Sequence, residues 1–282
     1  MINPINTVKI CHAFCKGFWK HLMTKGIEHP LHLVPIIFGS SVIGPSHEKK
    51  NIKCQDACCY ELLNHGIGVI VVSDGLGSVK NSDIGATEAV NAAVNKIKEI
   101  FNTKGIEGAH LDNIVENAVF YARQILEQKA DELQCNLQDL ACTIIVVVIY
   151  QDTVSVGHIG DGAVVAKIKD KLKIISYPGE SEYVNEVVPL TSKDWDKHLR
   201  ISGSSEIECL AVFTDGCQKA GLKKMENIWK PYNGFFDPLF LYAKEIKNIK
   251  EAKQDIINLL ISEKMSKNSE DDKTFVIAVL KN

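Results

Sequence analysis

The order of hydrophobic periodicities predicts an α+β fold. Short β-branched runs come first, two long helical repeats follow, strands return, more helical material comes next, and a strand closes the chain. The strand–helix–strand alternation of a doubly wound parallel sheet is missing from this order. Three apolar strands also stop at the same dipeptide: GVIVVSDG, VSVGHIGDG and ECLAVFTDG end at Asp74-Gly75, Asp161-Gly162 and Asp215-Gly216. With 282 residues, 45% of them hydrophobic, the chain can bury a sizeable core.

Residues 1–30 read as an N-terminal extension carrying one helix with Phe14, Phe18 and Trp19, and residues 31–282 as a single domain. LHLVPIIFGSSVIG is a strand that Pro35 confines to an edge or a bulge. KCQDACCYELL and GIGVIVVSD are two more strands, parted by a turn at Asn64-His65-Gly66. Ser82 or Asp83 can cap the following helix, in which Ala86, Val90, Ala93, Val94 and Ile97 recur at helical spacing. A second helix runs from about His110 to Leu133, with Ile114, Ala118, Tyr121 and Ile125 on one face. ACTIIVVVIY, TVSVGHIGD, GAVVAKIK and KLKIISY are short strands, punctuated at Gln151-Asp152, Asp161-Gly162 and Asp170-Lys171. PGESEYVNEVVPLTSKDWDKHLRISGSSE reads as an irregular flap. The strand IECLAVFTDG, helical material to about Met265 and the strand in DDKTFVIAVL complete the chain.

A formal charge of −3 gives no reason to expect nucleic acid or an anionic membrane as partner. No apolar run reaches the roughly 20 residues that span a bilayer, and MINPINTVKICHAFCKGFWKH lacks the unbroken apolar core of a secretory signal. Nine cysteines, an odd number with Cys58 and Cys59 adjacent, suit reduced thiols in a cytoplasmic protein. Cys11, His12 and Cys15, and Cys54, Cys58 and Cys59, lie close in sequence without the paired spacing of a structural zinc site.

The repeated acids carry the chemistry. One hairpin explains one Asp-Gly, and Asp161-Gly162, between two strands, admits that reading. It fails for Asp215, because GCQKAGLKKM does not look like a returning strand. Asp271-Asp272 opens the last strand, and Asp56 sits in CQDACC. Carboxylates gathered at neighbouring strand ends repel one another unless a cation lies between them, and oxygen-only ligands suit Mg²⁺ or Mn²⁺. Glycine after the acid lets a backbone carbonyl approach such an ion.

The set QDA, SDGLGS, GHIGDGAVV, VFTDG and DDKTFVIAVL resembles the metal-dependent protein phosphatases, the 2C-type serine/threonine phosphatases, from about Ser40 to Leu280. The approach SSVIGPSHEKKNIKCQDA, with Ser-x-x-Gly-x-x-His ahead of Gln-Asp, is similar to a bacterial branch. The resemblance implies a four-layer α-β-β-α sandwich with two stacked antiparallel sheets. It implies hydrolysis of phosphoserine and phosphothreonine in proteins, opposing a serine/threonine kinase in signalling. Asp74 would bridge two metal ions, with the Gly75 carbonyl on one and Asp215 and Asp271 on the other. Asp56 would belong to the metal site and orient metal-bound waters, either directly or through one water, and Asp161 with Asp215 would support a third, weaker ion.

The departures from that pattern are specific. Gln55 replaces a frequent glutamate, and Leu76 stands where many members have histidine after Asp-Gly. Asn51 occupies the place of the usual phosphate-binding arginine, and Asp272 that of an asparagine, which makes Asp272 the fallback ligand to Asp271. Only Arg123 and Arg200 are arginines, so a bidentate phosphate clamp comes from them or is replaced by His47, Lys50 or Lys53. His47 is the choice, as phosphate ligand or as acid for the leaving group, against a histidine on a surface loop. His158 reads as a satisfied core or rim histidine, and Arg200 as a solvated surface residue or a flap ligand. Gln55 and the missing arginine favour a rival: a phosphatase-like regulatory or binding domain with little activity.

Overall fold

A computed structural model describes residues 33–105, 110–179, 187–226 and 228–281. β3 (Ile67–Ser73) shows why its sequence is apolar without alternation. All seven of its residues are buried, because both faces of the strand are covered. Val69 and Val71 pack with the helices α2 (Ser82–Lys104) and α3 (Leu111–Leu133), while Ile70 and Val72 meet the opposite sheet. Each such side chain contributes about 1.5–3 kcal/mol by leaving water.

One sheet has the order β2 (Ala57–Leu63), β3, β4 (Ile144–Tyr150), β5 (Thr153–Ile159), β8 (Arg200–Ser204). The other runs β1 (Val34–Val42), β12 (Lys273–Lys281), β9 (Ile207–Phe213), β6 (Ala163–Ile168), β7 (Lys171–Ser176). Every neighbouring pair is antiparallel. Ile70, Val72, Ile145, Val147, Val164 and Val212 fill the space between the sheets. On the outer face of the second sheet, Phe213, Phe275 and Ile277 pack against α5 (Asn233–Glu245) and α6 (Ile249–Leu260) through Phe236, Phe240 and Ile256. The result is the expected four-layer α-β-β-α sandwich.

Pro35 lies on edge strand β1, where its missing N–H breaks no ladder. The turn at Asn64-His65-Gly66 is present, with His65 at φ 62° and Gly66 at φ 73°. Ala86, Val90, Ala93, Val94 and Ile97 are all buried.

Several expectations need correction. Asn81, not Ser82 or Asp83, stands at the N-cap of α2, and the Ser82 hydroxyl donates to Val79 O instead. The buried stripe of α3 includes Val115, Val119, Ala122 and Leu126 beside Ile114 and Ala118, which leaves Tyr121 and Ile125 half-buried at its flank. The stretch assigned to the flap contains strand β8, whose inward positions are Arg200, Ser202 and Ser204 and so gave no apolar alternation. The helical assignment after Asp215 fails in part, because α4 (Gln218–Gly221) gives way to a hairpin of β10 (Leu222–Met225) and β11 (Ile228–Pro231). The expected N-terminal helix, the Cys11, His12 and Cys15 group and the flap's residues 180–186 lie outside the described residues. Among the described residues, no helix is long and apolar enough to cross a membrane.

Candidate metal centre

The acids that end strands in the sequence meet at one end of the sandwich because both sheets deliver them there. Asp74 follows β3 and Asp56 precedes β2, its antiparallel neighbour, in one sheet. Asp215 follows β9 and Asp271 stands just ahead of β12, its neighbour in the other. Asp161 lies where the chain crosses between sheets, from β5 to β6. That crossing rules out the hairpin reading of Asp161-Gly162. Gly160 makes the crossing at φ 118°, in the region that favours glycine.

Asp56 is buried, and two threonines hold it. Its Oδ2 accepts from Thr214 Oγ1 at 2.7 Å and lies 2.8 Å from Thr274 Oγ1. Burial nevertheless pushes its pKa up to about 7, against those two hydroxyls and with repulsion from Asp215 and Asp272. Asp74 is raised well above the usual carboxylate range, by burial first and then by the charges of Asp56, Asp215, Asp161 and Asp271. Its backbone is fixed on both sides of Thr143: Asp74 N donates to Thr143 Oγ1 at 3.0 Å, and Thr143 N donates to Asp74 O at 2.8 Å. Asp215 is pushed up to about 7 by burial and by Asp161 and Asp271, while hydrogen bonds with Asp74 and the Gly216 backbone pull it down. Asp161 is raised by burial and by Asp271, against Arg200.

These residues fit a hard divalent cation on donor chemistry and on charge. The clustered groups are carboxyls, and the buried Cys217 thiol that feels Asp56 and Asp215 has its pKa pushed up by burial, so it is held protonated. Their mutual repulsion is what a cation removes, and Asp161 Oδ1 is a buried acceptor with no hydrogen-bond partner. Among the described residues, no three acidic, histidine or cysteine side chains close around one point, so the carboxyls lie near one another without forming a finished cage. Gly75 is wedged between two backbone segments of the chain. A Cβ there would stand 2.7 Å from both Gln55 O and Ser82 O.

The raised carboxyls predict an inverted pH dependence for metal-free protein. Between about pH 4 and 7 the folded state binds more protons than the unfolded chain, so stability is greatest at the acid end and falls as pH rises through the folded pKa of about 7. Metal-free protein is expected to melt several degrees higher at pH 5 than at pH 8. Mn²⁺ at pH 8 should recover the difference. Equal melting at both pH values would show that the acids do not repel as described.

Residues 43–260 match the sequence model of the family described as Protein phosphatase 2C. This chain belongs to the protein phosphatase 2C family. It is a metal-dependent protein phosphatase, as the order of its motifs implies. The phosphatase is 29% identical over 250 residues to Serine/threonine-protein phosphatase 3 of Escherichia coli (strain K12), covering 85% of this chain and 96% of that relative. A crystal structure of a bacterial serine phosphatase is similar at a TM-score of 0.61 and 13% identity, over 89% of this chain and 99% of that one. The catalytic domain of the serine threonine protein phosphatase PstP, solved with 2 manganese ions, gives 0.59 at 14% identity, over 89% and 100%. At these identities the two structures show a shared fold.

In this phosphatase the two acids of the last motif part ways. Asp271 is exposed, and its charge acts on Asp74, Asp215 and Asp161. Asp272 is 2% exposed and committed to the chain: Oδ1 accepts from Gly44 N at 2.6 Å, and Oδ2 from Gln55 N at 2.6 Å and His47 Nδ1 at 2.9 Å. The fallback assignment of Asp272 as ligand therefore loses ground to Asp271. Asp272→Ala is expected to destabilise the fold by about 3 kcal/mol, because it strands three buried donors. Denaturant unfolding measures this.

His47 is not on an exposed loop. It sits in α1 (Pro45–Lys49), buried against Asp272, with Nε2 turned toward Gly77, where a Cβ would stand 3.6 Å away. It thus braces the last motif against the loop that follows Asp74-Gly75. His158 is a core histidine, as expected, but not a fully satisfied one, because its Nε2 is buried without a hydrogen-bond partner. Its Nδ1 is 2.8 Å from Ser176 Oγ, and burial, with Arg200 adding repulsion, holds its pKa well below the usual value.

The reading of Arg200 as a solvated surface residue is wrong. It is half-buried, and its Nη2 donates to Gly160 O at 2.8 Å, one residue before Asp161. Arg123 donates to the carbonyls of Leu190 and Ser192. Both arginines are engaged with backbone, whereas Lys50 and Lys53 are exposed. Thr214, Thr274 and Thr143 were missed as site residues. The signal was there in VFTDG, where Thr214 stands next to Asp215, and in DDKT, where Thr274 follows Asp272 by two, but Thr143 in ACTI has no acid beside it.

Proposed function

We propose that Asp74, Asp215, Asp271 and the Gly75 carbonyl hold two Mn²⁺ or Mg²⁺ ions, with Asp56 beside them and Asp161 serving a third. The enzyme then hydrolyses phosphoserine and phosphothreonine in proteins phosphorylated by a serine/threonine kinase. When bound, the ions supply Lewis acidity and an ionised water for in-line attack on phosphorus. The observation that carries this reading is the convergence of five carboxyls from two sheets, four of them raised by burial and by each other. Asp56, held by Thr214 and Thr274, orients water. His47 or the free lysines Lys50 and Lys53 take the place of the absent arginine. We further assign catalysis to residues 31–282, with 1–30 as an extension, in the cytoplasm. The seven described cysteines are all free thiols, which supports that compartment.

The test is phosphate release from a phosphothreonine peptide with Mn²⁺ or Mg²⁺. A second reading, a phosphatase-like binding domain, is favoured by the engagement of both arginines with backbone. Peptide binding without hydrolysis of either the peptide or p-nitrophenyl phosphate would select it.

A further inference from the structure

The hairpin β10–β11 carries lysine charge that no carboxylate answers, although Lys223 Nζ lies 5.0 Å from the Tyr232 ring centre and Lys224 Nζ 5.3 Å from that of Trp229. Lys223 and Lys230 are directly opposed across the two strands, a like-charge pair that destabilises a ladder. Lys219, Lys224 and both of these are exposed, and among the described residues none forms an ion pair with a carboxylate. Glu226 is the sole acid between Leu222 and Pro231. In a chain of net charge −3, four lysines here make a local positive field.

The two faces of the hairpin differ. Leu222 is buried and Trp229 packs into the core below the second sheet, which anchors one face. The other face holds Lys223 and Lys230 with Met225 and Ile228, large apolar residues 55% and 57% exposed. Apolar side chains among ammonium groups without carboxylate partners give a surface that takes carboxylates together with apolar residues.

The hairpin is joined directly to the acid cluster. The turn Asp215–Cys217 runs without a break into α4 and then β10, and Gln218 Nε2 donates to Asp161 O at 3.4 Å. Lys219 follows Asp215 by four residues in this helical stretch, the spacing that brings side chains to one side.

We propose that the exposed face of β10–β11 holds acidic residues flanking the phosphorylated side chain of a protein substrate. The enzyme thereby prefers phosphoserine or phosphothreonine in an acidic context. This rests on the phosphatase function proposed above and names its substrate class. A lipid surface fits less well, because an anionic bilayer repels the remainder of an acidic chain.

The test compares two phosphothreonine peptides that differ only in glutamate or glutamine flanks, with p-nitrophenyl phosphate as the small-substrate control. The wild type is expected to show a KM about 5- to 20-fold lower for the glutamate peptide, a preference that fades as salt is raised to about 0.5 M. The double variant K223E/K230E should lose or reverse the preference while hydrolysing p-nitrophenyl phosphate normally. If that variant fails to fold, K223Q/K230Q and the wild-type salt dependence decide in the same way. Equal KM values in the wild type, or an intact preference in the folded variant, would overturn the proposal. So would lysine-dependent binding to phosphatidylserine–phosphatidylcholine vesicles with the peptide preference unmoved. A wild type that hydrolyses nothing with either metal would mark failure of the phosphatase reading instead, and anisotropy of the labelled glutamate peptide would still score the hairpin.

Discussion

Asp74→Asn is expected to lower phosphate release at least about 10³-fold while the fold survives, since preorganised electrostatic groups of this kind are each worth a few kcal/mol. Asparagine keeps the shape and leaves the backbone bonds to Thr143 in place. It removes the charge on which Asp56, Asp215, Asp161 and Asp271 all act. The same substitution has an opposite effect on metal-free protein. With one repelling carboxyl gone, the metal-free variant should melt above the metal-free wild type at pH 8, and Mn²⁺ should raise its melting temperature less. Loss of activity together with a gain in metal-free stability separates a site residue from a structural one. A variant with wild-type turnover would remove Asp74 from the centre.

Metal removal is the second large effect. Exhaustive chelation should bring turnover to background, and Mn²⁺ or Mg²⁺ should restore it, because carboxylate sites hold partly hydrated ions reversibly. Binding to the folded state alone also adds stability by mass action, so the melting temperature should climb with metal concentration. The climb should be steeper at pH 8 than at pH 5, where protons compete for carboxyls whose pKa values stand at about 7. Activity that survives chelation would sink the metal mechanism.

Much of this was legible in the chain. Unbroken apolar runs such as VIVVS signal strands covered on both faces, and the helical repeat from Ala86 to Ile97 fixes its buried side, because periodicity is local. Edge elements were harder to read. Arg200–Ser204 and the β10–β11 hairpin bury too few apolar residues to show a period, so their strand state depends on partners far along the chain.

The candidate site divides the same way. The sequence alone determined that strands end in acids followed by glycine, and this pointed to oxygen-ligated metal and to the family. It ranked Asp271 ahead of Asp272 only through the resemblance and gave no physical reason for which of them faces the others. That choice was made by Gly44, Gln55 and His47, brought more than 200 positions along the chain to Asp272, where their N–H groups satisfy a buried carboxylate. Nor could it say that Asp161-Gly162 joins two sheets, or that Arg200 is tied to Gly160. Chain order carries local periodicity and residue chemistry. Which buried polar group answers which is decided only when the sheets stack, because leaving one unpaired costs more than any local preference returns.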